Sequence, residues 1–188
     1  MEVFEDQQFI SEDYIQKGIP HGAYEYCNFT KCNFSKIDLS QMRFIECVFT
    51  ECDLSNITLS NTSLQGVIFQ SCKMIGTQFD EINPFNFSAS FEQCNLNHST
   101  FYKMLMKKMK FVKCSFLEAD FTEADCQGVI FDQCDFSLAH FNGTNLQNTD
   151  FSTSENYTIS PISNAIKGAT FSKDGIEGLL KVFGVIVK

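Results

Sequence analysis

A phenylalanine returns every twenty residues along this chain, at Phe9, Phe29, Phe49 and Phe69 and then, after one step of twenty-two, at Phe91, Phe111, Phe131, Phe151 and Phe171. Inside that spacing an apolar residue returns at every fifth position. The series runs Phe29, Phe34, Leu39, Phe44, Phe49, Leu54, Leu59, Leu64, Phe69, Met74, Phe79. It resumes two residues out of step as Phe91, Leu96, Phe101, Met106, Phe111, Phe116, Phe121, Cys126, Phe131, Phe136, Phe141, Leu146, Phe151. Of these 24 positions 15 are Phe and six are Leu. A helix repeats at about 3.6 residues and a strand at about 2, so neither produces this pattern. A fixed short period is the mark of a solenoid.

A second position is equally regular. Two residues before each large apolar residue stands a smaller one, as in Cys27, Cys32, Ile37, Met42, Cys47 and Cys52, and later Ala119, Ala124, Val129, Cys134 and Ala139. Two residues in five therefore face an interior and three face water. Four units make one coil, and stacked coils pair their backbones at about 4.8 Å. That spacing falls within the aromatic stacking range of roughly 4.5–7 Å, so the Phe column is expected to be a continuous ladder of rings.

Units such as Cys27-Asn28-Phe29-Thr30-Lys31 and Ala119-Asp120-Phe121-Thr122-Glu123 resemble the pentapeptide-repeat family, whose pattern is a small residue, a polar residue, Leu or Phe, then two polar residues. The resemblance runs from Tyr26 to Phe151. It implies an all-β fold, a right-handed quadrilateral (four-sided) β-helix solenoid. Residues 1–188 then read as a single domain. Residues 1–25 are an N-terminal cap or degenerate coil, 26–171 the β-helix with a bulge at 80–90, and 172–188 a short C-terminal helix and tail.

Nine cysteines invite a metal or disulfide reading, but eight of them occupy the small inward position and Cys126 the large one. Cys32, Cys52, Cys72, Cys94, Cys114 and Cys134 fall one coil apart and form one buried column, as small hydrophobes do. The spacing is Cys-x4-Cys rather than the zinc-type Cys-x2-Cys, so neither a metal nor a cofactor is expected. The start of the chain is acidic and its apolar runs are short, which points to no signal peptide, no membrane span and a cytoplasmic protein.

From Cys72 to Cys94 is one coil plus two residues, so the excess must bulge from a single coil within Asp80 to Ser90. Its unit falls on the wall that carries Leu64, Met106, Cys126 and Leu146. Asp80, Glu81, Ile82, Asn83, Pro84, Phe85, Asn86 and Phe87 form either a protruding contact loop or a bulge whose Phe side chains fold back on the wall.

Charge is uneven around a net value of −9. Residues 114–155 hold eight acids and no Lys or Arg: Glu118, Asp120, Glu123, Asp125, Asp132, Asp135, Asp150 and Glu155. Before them lie Lys103, Lys107, Lys108, Lys110 and Lys113 with no acid between. An acidic rod presents its field to a basic groove. Solvated faces of solenoids are usually charged for solubility alone, and Lys107 and Lys108 could pair with Asp80 and Glu81.

Asp174-Gly175-Ile176-Glu177-Gly178-Leu179-Leu180-Lys181 reads as an N-capped short helix. An apolar run, Val182-Phe183-Gly184-Val185-Ile186-Val187, follows it. Ile176, Leu179, Leu180, Phe183, Val185 and Ile186 either seal the last coil or also pair with a second copy.

This terminal arrangement resembles the Qnr/MfpA-type branch of the family. The branch implies a homodimer through the tail and a rod that imitates duplex DNA. It implies binding to DNA gyrase or topoisomerase IV and countering of quinolones. On that resemblance Glu118, Asp120, Glu123, Asp125, Asp132, Asp135 and Asp150 stand for phosphates. The alternative is a general interaction or structural scaffold with a partner unrelated to DNA. No enzyme is expected. His21, His98 and His140 lie far apart, and a filled convex rod offers no cleft to exclude water. Direct nucleic-acid binding would need a basic face, which five lysines beside an acidic half do not supply.

Overall fold

With two side chains in five turned inward, the backbone of each coil is left to pair with the coils before and after it. The computed structural model describes residues 1–186 and shows this pairing as a right-handed, four-walled β-helix. One wall holds Glu2–Glu5, Gly22–Glu25, Arg43–Ile45 and Ser63–Gln65 as a parallel sheet. The next wall is a nine-stranded parallel sheet from Gln8–Ile10 to Thr170–Phe171, in register as Phe9, Phe29, Phe49, Phe69, Phe91, Phe111 and Phe131. A third wall is held by single bridges through Asp13, Asn33, Asp53, Lys73, Asn95, Ser115, Asp135 and Glu155. The fourth runs through Asp38 and Thr58, then through Gln78, Thr100, Asp120 and His140.

The chain turns each corner at the residue two after the large apolar one. Lys31, Lys36, Gln41 and Glu46 there have φ of 56°, 62°, 61° and 52°. Left-handed backbone costs an ordinary residue about 1–2 kcal/mol. Coil-to-coil bonds offset the cost: the Lys31 N–H donates to the Thr50 carbonyl and the Lys36 N–H to the Ser55 carbonyl, both at 2.9 Å. Gly66 is a corner where a Cβ would collide with the Glu46 carboxylate of the preceding coil.

The interior is a stack of rings. Phe29 and Phe49 lie 4.7 Å apart at 9°, Phe101 and Phe121 4.9 Å apart at 8°, and Phe116 and Phe136 5.0 Å apart at 5°. Rings from adjacent walls meet edge to face, as Phe116 meets Phe131 at 5.9 Å and 89°. Both geometries suit the ring quadrupole.

The small inward position has a polar task as well as a steric one. From it the side chain donates to the carbonyl of the large residue one coil earlier. The Cys52, Cys72 and Cys94 thiols reach the carbonyls of Phe29, Phe49 and Phe69 at 3.3, 3.3 and 3.4 Å. Thr62, Thr144, Thr149 and Ser154 make the same bond to Leu39, Phe121, Cys126 and Phe131 at 2.8, 2.9, 2.8 and 2.7 Å. All nine thiols are free and buried. Burial pushes the Cys47 thiol up to about 12 and raises those of Cys27 and Cys126.

Residues 2–25 pair with the following coil, Phe4 opposite Tyr24 and Phe9 opposite Phe29. Of their inward small positions, Glu2, Gln7 and Lys17 are exposed and Glu12 is half-buried. Glu12 and Lys17 form an ion pair, and the Lys17 ammonium lies 4.9 Å above the Tyr14 ring.

At the other end the repeat loosens and Tyr157 and Ile159 fill the interior. The α-helix is a single turn, Glu177–Leu180, between 3-10 turns at Asp174–Ile176 and Lys181–Phe183. Asp174 does not cap it. The Ser172 hydroxyl takes that place, accepting from the Gly175 N–H at 2.9 Å, because Asp174 already lies inside the first turn. Gly178 seats the cap: the Ile159 N–H donates to its carbonyl at 3.1 Å, and a Cβ there would strike the Tyr157 backbone.

Candidate partner-binding surface

The residue just before a large apolar one stands on the outer face, and at several of these positions an Asp or Asn side chain closes a small turn. Asp120 accepts from the Thr122 N–H at 2.8 Å, Asp125 from Gln127 at 3.2 Å, Asp135 from Ser137 at 3.0 Å and Asp150 from Ser152 at 2.8 Å. Asn33, Asp38, Asp53, Asn95 and Asn145 do the same elsewhere in the rod. Four of the seven candidate acids thus have a local structural role, the Asx turn. The pentapeptide pattern shows only that a polar residue stands there.

The seven acids are distributed around the rod. Asp120 shares a ladder with Thr100 and His140, Asp125 with Leu105 and Asn145, Asp135 with Ser115 and Glu155, and Asp150 with Ile130 and Thr170. These are four different walls. Glu118 and Glu123 occupy the corners on either side of Asp120, and Asp132 precedes the corner that Asp135 follows.

Two lysines and a histidine from the preceding coil face one side of this band, and the lysines compensate it. Lys103 lies 3.4 Å from Glu123, Lys107 3.0 Å from Asp125, and His98 3.4 Å from Glu118. The expected pairing of Lys107 and Lys108 with Asp80 and Glu81 is not formed. Lys107 follows Met106 at the far side of its wall from the corner where Glu81 sits, and it reaches forward one coil instead of back. Asp132, Asp135, Asp150 and Glu155 have no cationic partner among the described residues. Asp132 accepts from the Thr153 hydroxyl at 3.0 Å, and Asp135 from Asn156 and the Ser137 hydroxyl at 2.8 Å each. Two successive coils therefore carry an uncompensated acidic edge between the second and third walls.

The bulge lies on the expected wall and combines both expected conformations. Phe79–Glu81 form a 3-10 turn, Ile82 is buried, and the Asn83 side chain accepts from the Phe85 N–H at 2.9 Å. Phe87 packs partly into the wall, whereas Phe85 is 71% exposed. Between bulge and next coil is a cleft of about 290 Å³ whose lining includes Ile82, Pro84, Phe87, Met104 and Leu105. The inward five-residue rhythm does not single out Leu105, which is 68% exposed at an outward position where the pattern asks for a polar residue. That departure was the available signal. The cleft sits between the fourth and first walls, diagonally across the rod from the acidic edge.

In the tail, Leu179 packs against the core and Leu180 is half-buried, while Ile176, Phe183, Val185 and Ile186 are exposed. Val187 lies outside the described residues. No described helix is long and apolar enough to cross a membrane. No cluster of three or more His, Cys, Asp or Glu side chains suited to a metal occurs among the described residues.

Two family models match the chain, one for a pentapeptide repeat region over residues 24–84 and one for pentapeptide repeats over 106–137 and 119–154. Together they span more than half of it. No curated protein matches it by sequence. Among solved structures, trypsin-treated QnrB1, a plasmid-mediated fluoroquinolone resistance protein, superposes with a TM-score of 0.73 at 20% identity, covering 100% of this chain and 92% of that one. Full-length QnrB1 gives 0.63 at 19%, covering 98% and 100%. HetL, a pentapeptide repeat protein involved in heterocyst differentiation regulation from the cyanobacterium Nostoc, gives 0.57 at 16%, covering 90% and 84%. At these identities the likeness is one of fold.

Proposed function

From the premise that this chain belongs to the pentapeptide-repeat proteins, we propose that it is a non-catalytic, cytoplasmic rod that binds another protein through its C-terminal half. Its partner is a type II topoisomerase, DNA gyrase or topoisomerase IV, whose DNA groove the acidic half occupies in place of duplex DNA. The observation that carries this is the uncompensated edge of Asp132, Asp135, Asp150 and Glu155. A groove that binds phosphates attracts such an edge and speeds encounter with it. QnrB1, with the same fold, is a fluoroquinolone resistance protein, so countering quinolones belongs to the proposal. The exposed Ile176, Phe183, Val185 and Ile186 supply a contact for a second copy.

A second reading has its own support. Because Asp120, Asp125, Asp135 and Asp150 close Asx turns, the acids serve coil building, and the rod is then a scaffold for a partner unrelated to DNA. Supercoiling by purified gyrase, with a quinolone and with or without this protein, separates the two. Drug rescue or direct inhibition that weakens steeply with salt supports the topoisomerase reading. No effect at tens of micromolar protein leaves the scaffold.

A further inference from the structure

The bulge edge carries a knob, a hole and two opposite charges within two coils. Phe85, at the loop tip, is 71% exposed beside a cleft of about 290 Å³ lined by Ile82, Pro84, Phe87, Met104 and Leu105. Asp80 and Lys103 stand on its rim. Glu81, at the end of the 3-10 turn, and the corner residue Lys103 lie on adjacent coils of the same edge, and neither Asp80 nor Glu81 has a cation within reach among the described residues. Lys103 is turned towards Glu123. Lys108, at the neighbouring corner, has no ionic partner among the described residues either.

We propose that this edge is a self-association surface through which two copies pack side by side and antiparallel. A two-fold contact requires one patch to complement itself. An axis perpendicular to the rod, between the bulge coil and the next, exchanges those two coils. It sets Phe85 of each copy over the cleft of the other. It also sets Asp80 and Glu81 of each copy against the Lys103–Lys108 coil of the other. A parallel pairing would oppose like charges and leave both Phe85 side chains at matching heights, away from the clefts. The occupant is therefore a second copy in the antiparallel sense. The contact is independent of the tail, which lies at the far end of the rod, and of the acidic edge, which faces the opposite way. A stable interface buries roughly 1,000 Å² or more, so one cleft and its rim give an association seen at high protein concentration.

The test uses the full chain with Phe183→Ser and Ile186→Ser, which removes the exposed tail contact. Sedimentation equilibrium is expected to show a concentration-dependent dimer, shifted at least tenfold towards monomer by adding Phe85→Ser and Leu105→Ser. Both positions are exposed, so circular dichroism should be unchanged. In the same tail background, Phe85→Cys and Leu105→Cys proteins are treated with a mild thiol oxidant, each alone and as an equimolar mixture. A disulfide-linked dimer at least fivefold more abundant in the mixture than in either alone fits the antiparallel contact. A tail variant that stays monomeric throughout, or a dimer indifferent to Phe85→Ser and Leu105→Ser, overturns the proposal. So does a mixture that cross-links no better than its components.

Discussion

The Thr144 hydroxyl donates to the Phe121 carbonyl across 2.9 Å, from one coil to the coil before it, in the place that Cys52 fills for Phe29. A buried carbonyl stripped of its donor loses about 1–3 kcal/mol. Thr144→Val keeps the shape and removes the donor, so its apparent Tm should fall by roughly 2–4 °C per kcal/mol lost. Thr144→Cys restores a donor of the kind used elsewhere in the rod and should lie closer to wild type. Equal melting of the two variants would mean that shape alone governs the position.

Phe116 stacks on Phe136 and meets Phe101, Phe111, Phe121 and Phe131 edge to face or tilted. Its removal opens a cavity at the centre of the rod. Phe116→Ala should cost about 3–5 kcal/mol in chemical denaturation. Phe116→Leu should cost much less, since Leu96 occupies the same position one coil earlier. A Phe116→Ala loss under about 1 kcal/mol would show that neighbouring rings collapse into the gap.

Nine thiols invite a reactivity test. All are buried, and burial raises those of Cys27, Cys47 and Cys126, so little thiolate meets a reagent at neutral pH. The folded protein should leave Ellman's reagent essentially unchanged, and denaturant should release all nine. Rapid modification of the native rod would contradict the closed interior.

The walls, their register and the location of the bulge were legible because the inward positions repeat without exception over two long runs. The same regularity hid the site. An outward position is constrained only to be polar, so the Asx role of Asp120 or Asp150 could not be separated from a partner-facing one. Ion pairing was misread for a related reason. Lys107 can turn to the coil before or after it, and the sequence places both within reach. Leu105 was missed because the inward rhythm drew attention away from an apolar residue standing outside it. At the C-terminus the repeat decays, and Asp174 resembles a cap because the helical segment begins one residue earlier than the sequence suggests.

Three carboxylates titrate low. The Ser40 hydroxyl and N–H hold Asp38 below the usual carboxylate range. For Asp53 burial acts upward but is outweighed by Ser55 and Lys73, and for Asp135 burial is outweighed by Asn156 and Ser137. A folded value below the unfolded one, about 3.9, stabilises the native state at all pH above that value. The contribution disappears as the pH falls through the lower folded values. Urea midpoints should hold near neutrality and drop towards pH 3. Asp38→Asn, Asp53→Asn and Asp135→Asn together should flatten the drop. An unchanged profile would place the acid sensitivity elsewhere.

The acidic band divides into a compensated side and a bare one, and the two make opposite predictions. Glu123 and Asp125 face Lys103 and Lys107, and Glu118 lies beside His98, so a partner meets a field that the two lysines already partly cancel. Asp132, Asp135 and Asp150 present full charge, and Asn at each position keeps its hydrogen-bond acceptor. Asp132→Asn, Asp135→Asn and Asp150→Asn together should weaken the effect on gyrase by about tenfold or more, about 1.4 kcal/mol, and flatten its salt dependence. Glu118→Gln, Glu123→Gln and Asp125→Asn remove the same number of charges and should have the smaller effect, because these carboxylates lie off the bare edge and two of them are already cancelled by Lys103 and Lys107. Equal losses from the two triple variants would assign the binding to overall charge. A larger loss from the second would move the contact to the opposite edge of the rod, beside the bulge.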